Sequence, residues 1–532
     1  RQATTAFEDS GDEHREELSD RLIFTIDPPD ARDFDDAIDI SFDEERGEWE
    51  LGVHIADVAS FVIPGSALDQ CAAERGNSVY LPRHVVPMLP EVLSNGVCSL
   101  QEGVRRWAKS VFIRFDRRGR VLGQRLRRTV IRSEKRFTYL EAQAVIDGDL
   151  KAARSHAATS GEYTDALAAA LRRANELART LLKRRRRDGM IELALPEVEL
   201  EFDDEGHVID AHPEDDAFTH RIIEMFMVEA NEAVARVFAG LDVPVIRRIH
   251  PEPKFGDMED LQLFARSVGL GIPEEPTRQD LQRILQATAE TPAARAVHFA
   301  VLRTLTRAIY SPAIVGHFAL ASEHYAHFTS PIRRYPDLII HRAIEAFLDH
   351  TDNGTNVPRG KGRRALGHRL RDDKRVLAEG KLVELGQHCS ETERNAEDAE
   401  RSLRNFLVLQ FLSEHHLGDE FLGIVTGFLA TGLFVSLERF LVEGLAKFES
   451  MGQSSSRADR WNRIQGTGQV IAERSGAVLA IGDQVTAQIV AIDLPTREME
   501  LRLTAMPDRA SGQERSSGDT VRRKGKKRRK GR

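Results

Sequence analysis

Five aspartates fall within ten consecutive positions near the start of the chain, Asp27-Pro-Pro-Asp30-Ala-Arg32-Asp33-Phe34-Asp35-Asp36. So many carboxylates in one short segment repel one another unless positive charge sits among them. The fold must therefore either leave this segment in water as a turn or gather it around cations. Divalent cations are the usual counter-charge, because Mg²⁺ takes hard oxygen ligands and favours carboxylates together with substrate phosphates. Two such ions clamp the attacking and leaving oxygens of a phosphodiester during hydrolysis. A solvated turn and a calcium loop are the competing readings. An EF-hand using Asp33 and Asp35 as its first two ligands needs Gly at its sixth position, where this chain has Ile38. Ala37 to Phe42 alternates apolar with small or polar residues, a strand pattern, and Arg21 to Ile26 also reads as a strand. The acidic segment thus lies between two strands, a position suited to a site loop held by a sheet.

A chain of 532 residues is too long for one ordinary core and predicts two or more domains. No run of about 18 apolar residues is present, so no membrane span is expected. The first residue is Arg1 and no signal peptide is visible. Cys71, Cys98 and Cys389 are odd in number and far apart. They match neither a disulfide framework nor a zinc site, and a reducing, cytoplasmic setting is expected. Charge is uneven: Arg522 to Arg532 holds nine of the 75 Lys and Arg residues and no acid, leaving 66 basic against 84 acidic residues elsewhere. So acidic a body repels nucleic acid at long range. Any RNA must then enter through a local basic channel, with the tail as a first point of capture or else a solvated end.

From about 19 to 135, short alternating runs such as Glu50–Ala56, Asn77–Leu81 and Ser110–Phe115 predict strands. From about 138 to 187 the pattern is helical, with Leu167, Leu171, Ala174, Ala178 and Leu181 on one face and a stop at Asp188-Gly189. The basic run Lys183 to Arg187 at its end is a solvated helix terminus or a phosphate contact. Arg221–Phe238 is a further helix, placing Glu224 and Asn231 on one face, and helices continue through 350 and from 365 to 416. In the last, Glu397 stands four residues before Arg401, so a surface ion pair is one account of that arginine. After about 417, strands near 420–427, 432–437, 484–492 and 498–503 predict a small five-stranded barrel, most simply an OB-fold. Residues 452–464 read as a polar loop, and residues from 505 onward as disorder. The fold class is α+β.

Several segments in order then carry a resemblance. They are Thr25-Ile26-Asp27, Asp30 to Ala37, His54-Ile55-Ala56-Asp57-Val58, Ser78 to Pro82, Cys98-Ser99-Leu100, His327 to Leu338, His388-Cys389-Ser390 and Glu393-Arg394. Together they resemble the catalytic domain of the ribonuclease II / ribonuclease R family of 3′-to-5′ exoribonucleases, over about 20 to 410. The resemblance implies Mg²⁺-dependent, processive hydrolysis of single-stranded RNA from a free 3′ end to nucleoside 5′-monophosphates. By position, Asp27, Asp33, Asp35 and Asp36 match the family's four metal-site aspartates, and Asp35 the one essential for cleavage. Asp30 is given no ligand role. Arg401 matches an arginine near the scissile phosphate, Glu224 a glutamate that helps hold the terminal nucleotide, and Tyr80 an aromatic that stacks on a base. Arg333 and Arg334 are candidate phosphate or active-site contacts, with only one of the two expected to touch RNA. His327 is left unassigned.

The chain accordingly divides into a leader (1–18), an exoribonuclease catalytic domain (19–350), a helical extension of it (351–416), an OB-fold RNA-binding domain (417–504) and a disordered basic tail (505–532). The barrel resembles the OB-fold typified by ribosomal protein S-one, through Gly423 to Gly427, Gly432 to Val435 and Glu443 to Leu445. Phe434 keeps one stacking aromatic there. Thr431 and Lys447 replace an aromatic and a histidine, so binding that leans on charge is expected. Leu193 stands where the family usually has a phenylalanine that sandwiches terminal bases, so a one-sided base clamp is expected. Only about eighteen residues precede the catalytic domain where the family usually has cold-shock-like domains, so either the chain is truncated or the RNA entrance is built differently. The basic tail leans toward the ribonuclease R branch, with 3′-overhang duplexes as further substrates. The alternative is an inactive RNA-binding or RNA-decay scaffold.

Overall fold

The computed structural model describes residues 14–507, apart from 194, 196, 216, 254–260, 263–264, 266–270, 274, 290, 292–293, 452–458 and 465–467. The basic run 522–532 lies outside the described residues.

The acidic segment does join two strands. Strands β1 (Glu16–Glu17), β2 (Ile23–Asp27), β3 (Asp36–Asp43) and β4 (Glu48–Ala56) are followed by helix α1 (Ala67–Arg75). A small hairpin, β5 (Val79–Leu81) and β6 (His84–Val86), leads to β7 (Arg105–Asp116) and β8 (Val121–Thr138). The main sheet has the order β1-β8-β2-β3-β4-β7. Strand β8 is 18 residues long. Its first part pairs antiparallel with β7 and its last residues pair parallel with β2, so the sheet curls back on itself. Leu51 to Ala56 of β4 is buried without a break, as befits a central strand covered on both faces.

The helical stretch from 138 is three helices. They are α2 (Tyr139–Asp147), opened by a Thr138/Glu141 capping box, α3 (Leu150–His156) and α4 (Asp165–Asp188). Thr164 caps α4, and the predicted stop is real: Gly189 takes φ +100°, a left-handed conformation that suits glycine. The five residues placed on one face of α4 are all buried. The basic run at its end is divided: Lys183, Arg186 and Arg187 are exposed, as a solvated helix terminus requires, whereas Arg185 is buried and Arg184 largely so. Arg184 and Arg185 both reach Glu229, Arg185 also reaches Glu232 (3.0 Å), and Arg186 reaches Glu192 (2.6 Å). Spacing could not reveal this, because the partners belong mainly to α5 (Phe218–Ala239), which packs on α4.

Between hairpin β9 (Val198–Phe202)–β10 (Val208–Pro213) and the C-terminal helices lie β11 (Arg247–Ile249), α6 (Arg278–Thr288), α7 (Ala294–Thr304) and β12 (Ile309–Ser311). Then come α8 (Tyr335–His350), α9 (Lys361–Arg371) and α10 (Glu379–His415). Helix α10 is 37 residues long and serves two cores. Its Leu382 and Cys389 join the main core, whereas Val408, Leu409, Phe411 and Leu412 join that of the barrel. It approaches β12 closely at Gly386, where a Cβ would lie 2.4 Å from the Tyr310 carbonyl oxygen.

The barrel is closed and five-stranded, β13 (Glu420–Phe428), β14 (Gly432–Leu437), β15 (Glu443–Lys447), β20 (Glu498–Ala505) and β19 (Gln484–Asp493) in spatial order. A three-stranded sheet, β16 (Trp461–Ile464), β17 (Gln469–Ala472) and β18 (Val478–Ala480), is inserted between β15 and β19. Residues 461–464 are therefore strand, not loop. Asn462 and Arg463 are exposed, so the run lacks the alternation by which a half-buried strand is recognised. Among the described residues no helix is long and apolar enough to cross a membrane.

Candidate active site

Asp27 ends β2 and Asp36 begins β3, and the connecting loop is pinned from below. Ser99 Oγ donates to the Arg32 carbonyl (2.7 Å) and accepts from the Phe34 N–H (3.1 Å). The Leu100 N–H reaches the Phe34 carbonyl (3.0 Å). Arg136 donates to the Pro28 and Pro29 carbonyls (3.0 and 2.8 Å) and covers the Phe34 ring. Cys98-Ser99-Leu100 thus acts as a clip for the acidic loop. Arg136, by contrast, carries no signal of its position in the sequence.

Three remote segments converge on this loop. Ile332 donates its N–H to Asp35 Oδ1 (2.9 Å), and Arg333 Nε lies 3.6 Å from Asp35 Oδ2. The Tyr80 hydroxyl donates to Asp33 Oδ2 (2.9 Å), while the Tyr80 N–H donates to Glu400 Oε1 (2.6 Å). Glu400 is a member of the cluster that sequence reasoning missed, since it is one of many acids along α10. Asn231 supports the loop that carries Ile332, accepting the Phe328 N–H at its Oδ1 (2.7 Å).

The carboxylates are poorly compensated. Burial, and then the neighbouring Asp36 charge, push Asp27 up to about 8. Burial lifts Asp36 to about 6 against the pull of Arg333 and Arg334. Asp35, only 4% exposed, is raised by burial against the pull of Arg333 and the Ile332 N–H. Asp27 Oδ2 and Asp35 Oδ2 are buried without a hydrogen-bond donor. Asp57 shows the opposite case. Burial would raise it, but Lys109 and Arg15 outweigh that and hold it far below the usual range. The Asp57 carboxylate is therefore a satisfied structural group, whereas the loop aspartates want a cation. Buried, mutually repelling carboxylates with orphaned oxygens are a donor set that fits a hard divalent ion.

These aspartates do not themselves close into a ligand cage. Among the described residues, the trio whose ligand atoms all lie within 4.8 Å of one another is Asp203, Glu205 and His207, on the exposed turn between β9 and β10. Uncompensated carboxylates stand apart, and a cation is what draws them together.

The other sequence candidates divide. Arg334 is bidentate to Asp337 (2.9 and 2.8 Å), so its guanidinium braces the loop while Arg333 faces the aspartates. Arg401 is exposed and pairs with Asp398 (2.6 Å), not with Glu397 and not with the aspartates. Glu224 is half-exposed and pairs with Arg221 (2.7 Å). Asp30 is exposed. His327 is a half-buried histidine whose Nδ1 meets the Tyr310 hydroxyl (2.9 Å). Leu193 packs half-buried against a small core that includes Ile191. On the barrel, Phe434 is half-buried, Thr431 is exposed, and Lys447 is occupied by Glu500 (2.8 Å). A stacked pair missed in the sequence, Phe448 and Trp461 (centroids 5.8 Å, 15° between planes), lies on the same domain. Both rings pack against the barrel core.

Residues 15–350 match the model of the RNB domain. The chain is 37% identical over 491 residues to ribonuclease R of Aquifex aeolicus, covering 92% of this chain and 65% of that protein. It is 33% identical over 521 residues to ribonuclease R of Escherichia coli, covering 96% and 60%. It thus spans less than two thirds of the length of these curated relatives. Its fold is similar to that of Mycoplasma genitalium RNase R solved in complex with ribose-methylated single-stranded RNA. That match has a TM-score of 0.79 and 27% identity, and covers 94% of this chain and 74% of the other.

Proposed function

The chain belongs to the ribonuclease II / ribonuclease R family of RNB-domain proteins, and on that premise we propose that it is a 3′-to-5′ exoribonuclease, more ribonuclease R-like than ribonuclease II-like. Its substrate is single-stranded RNA with a free 3′ end, including the overhang of a structured RNA, and its products are nucleoside 5′-monophosphates released in the cytoplasm. The observation that carries the reading is the state of Asp27, Asp35 and Asp36: Asp35 is buried, Asp27 and Asp36 are half-buried, all three are raised, and among the described residues Arg333 beside Asp35 is the one cation within 4.0 Å of them.

Asp27, Asp33, Asp35 and Asp36 would hold Mg²⁺, which supplies Lewis acidity at the scissile phosphate and charge neutralisation. The chain's own groups do the positioning. Arg333, beside Asp35, faces the place where phosphate charge develops and is the residue best set to stabilise it. Arg334 holds the loop by its clamp on Asp337, and the Ile332 N–H fixes the Asp35 carboxylate. Tyr80, anchored through its hydroxyl and its amide, offers a ring for a base, and such stacking tolerates any sequence. Glu224 and Arg401 would come to the RNA by leaving their present surface partners, and Phe434 would meet it on the barrel.

The test is incubation of 3′-tailed RNA with Mg²⁺, with and without Asp35→Asn. The unmodified chain is expected to release mononucleotides, and the variant to lose roughly 10²–10³-fold of that rate, the scale of deleting one preorganised electrostatic group, while still binding RNA. Binding without mononucleotide release by the unmodified chain would return it to the inactive scaffold reading. Internal fragments would overturn the 3′-to-5′ direction.

A further inference from the structure

Behind the loop that carries Ile332 lies a cleft of about 490 Å³ between the end of α7, the 305–309 segment and α10. Four arginines line it, Arg248, Arg303, Arg307 and Arg394, against two acids, Glu393 and Glu397. Arg248 and Glu393 satisfy each other (2.5 Å). Among the described residues, Arg303, Arg307 and Arg394 have no carboxylate within 4.0 Å. Other exposed arginines among the described residues, such as Arg118 and Arg132, also lack an ion pair, but these three line one cleft together with Arg248. Burial and then Glu393 raise the Glu397 carboxyl, and among the described residues no arginine lies within 4.0 Å of it.

Arg303, Arg307 and Arg394 are exposed and line one cleft, and the mutual repulsion of guanidinium groups gathered without carboxylates is relieved when an anion joins them. The planar fork of arginine matches phosphate geometry, and the volume lies in the range of small-ligand sites. One wall leads to the catalytic loop. Arg248 lies over the Tyr310 ring (4.6 Å), the Tyr310 N–H is held by Ser390 (2.9 Å), and the Tyr310 hydroxyl meets His327 at the start of the loop.

We propose that this cleft is a phosphate-binding site distinct from the aspartate cluster, with Arg303, Arg307 and Arg394 as its anion donors. The phosphate belongs either to a nucleoside 5′-monophosphate or to the backbone of bound RNA. The excess of two positive charges matches a phosphomonoester, which carries roughly −1.5 to −2 at pH 7. The inference rests on the exoribonuclease reading for the supply of such phosphates.

The test measures binding in EDTA, where no metal-dependent turnover occurs, so that a failure of hydrolysis and a failure of this site are separate results. AMP is titrated calorimetrically, and a labelled oligoadenylate by anisotropy across a salt series, on the full chain and on Arg303→Gln/Arg394→Gln. A tenfold or greater loss of AMP affinity supports the site with free nucleotide as its source. A tenfold or greater loss of RNA affinity with a shallower salt slope supports it with the RNA backbone as source. Both affinities unchanged within twofold would overturn it. So would an equal loss in the control Arg118→Gln/Arg132→Gln, which removes the same charge at exposed positions elsewhere. Should the double variant unfold, Arg307→Gln, at another exposed position, is read by the same criteria.

Discussion

The Ile332 N–H donates to Asp35 Oδ1 at 2.9 Å across 297 positions of sequence. This bond joins the acidic loop to the loop that begins α8, and it places Arg333, the next residue, against the same carboxylate. The two most motif-rich segments of the chain therefore form one site, with Asp35 as its hinge point.

Tyr80 is expected to serve through its ring and its hydroxyl separately. Tyr80→Phe keeps the ring and loses the bond to Asp33, a change of about 1 kcal/mol. Tyr80→Ala loses base stacking as well, roughly 1–3 kcal/mol per base. The Kd for 3′-tailed RNA should rank unmodified, Phe and Ala in rising order. Equal Kd values for Phe and Ala would remove the ring from RNA contact.

Leu193→Phe should tighten the grip on terminal bases and shorten the limit product, if a phenylalanine there completes a clamp with Tyr80. Product length is read on a denaturing gel. An unchanged limit product together with unchanged affinity would end the one-sided clamp idea.

Arg401→Ala tests a residue whose only ion pair among the described residues is an exposed one with Asp398. Such a pair contributes about 0.2–0.5 kcal/mol at most, so the thermal midpoint should barely move. A tenfold or larger fall in kcat with KM little changed would show that the arginine reaches the transition state. An unchanged kcat leaves it a surface residue.

The metal-free protein should lose stability as pH rises through the titration of the acidic loop. Asp27 and Asp36 are raised to about 8 and about 6. Between an unfolded value near 4 and those values the native state binds more protons than the unfolded one, so stability falls with rising pH. The contribution is fully present below about 4 and lost as pH passes about 6 and then about 8. Asp27→Asn should flatten the upper part of this profile in urea titrations with EDTA. Mg²⁺ should stabilise the unmodified chain more at pH 8 than at pH 6, because it competes with these protons. Identical profiles for Asp27→Asn and the unmodified chain would show that Asp27 ionises unhindered.

Much of the site was legible before the fold. The alternation on either side of Asp27–Asp36 places the acidic loop between strands, and Ile38 excludes a calcium loop. Local patterning also marks the buried face of α4 and its stop at Gly189, because helix periodicity and left-handed caps are properties of neighbours in sequence. Where side-chain partners come from elsewhere, the reading fails. Arg184 and Arg185 look like a basic patch until α5 brings Glu229 and Glu232 beneath them. Arg333 and Arg334 are adjacent and chemically identical, yet one faces Asp35 and the other is bound to Asp337.

The sequence by itself determined which residue types meet a divalent ion and a phosphodiester, since five aspartates in ten positions, read with the distant motifs, separate a metal site from a solvated turn. Only the tertiary structure decided which of them are buried, which oxygens are left without donors, and which arginine answers them. It also added Ser99, Arg136 and Glu400 to the site. The reason is physical: chemical identity is local to a residue, whereas desolvation and charge compensation are set by whatever the fold packs against it.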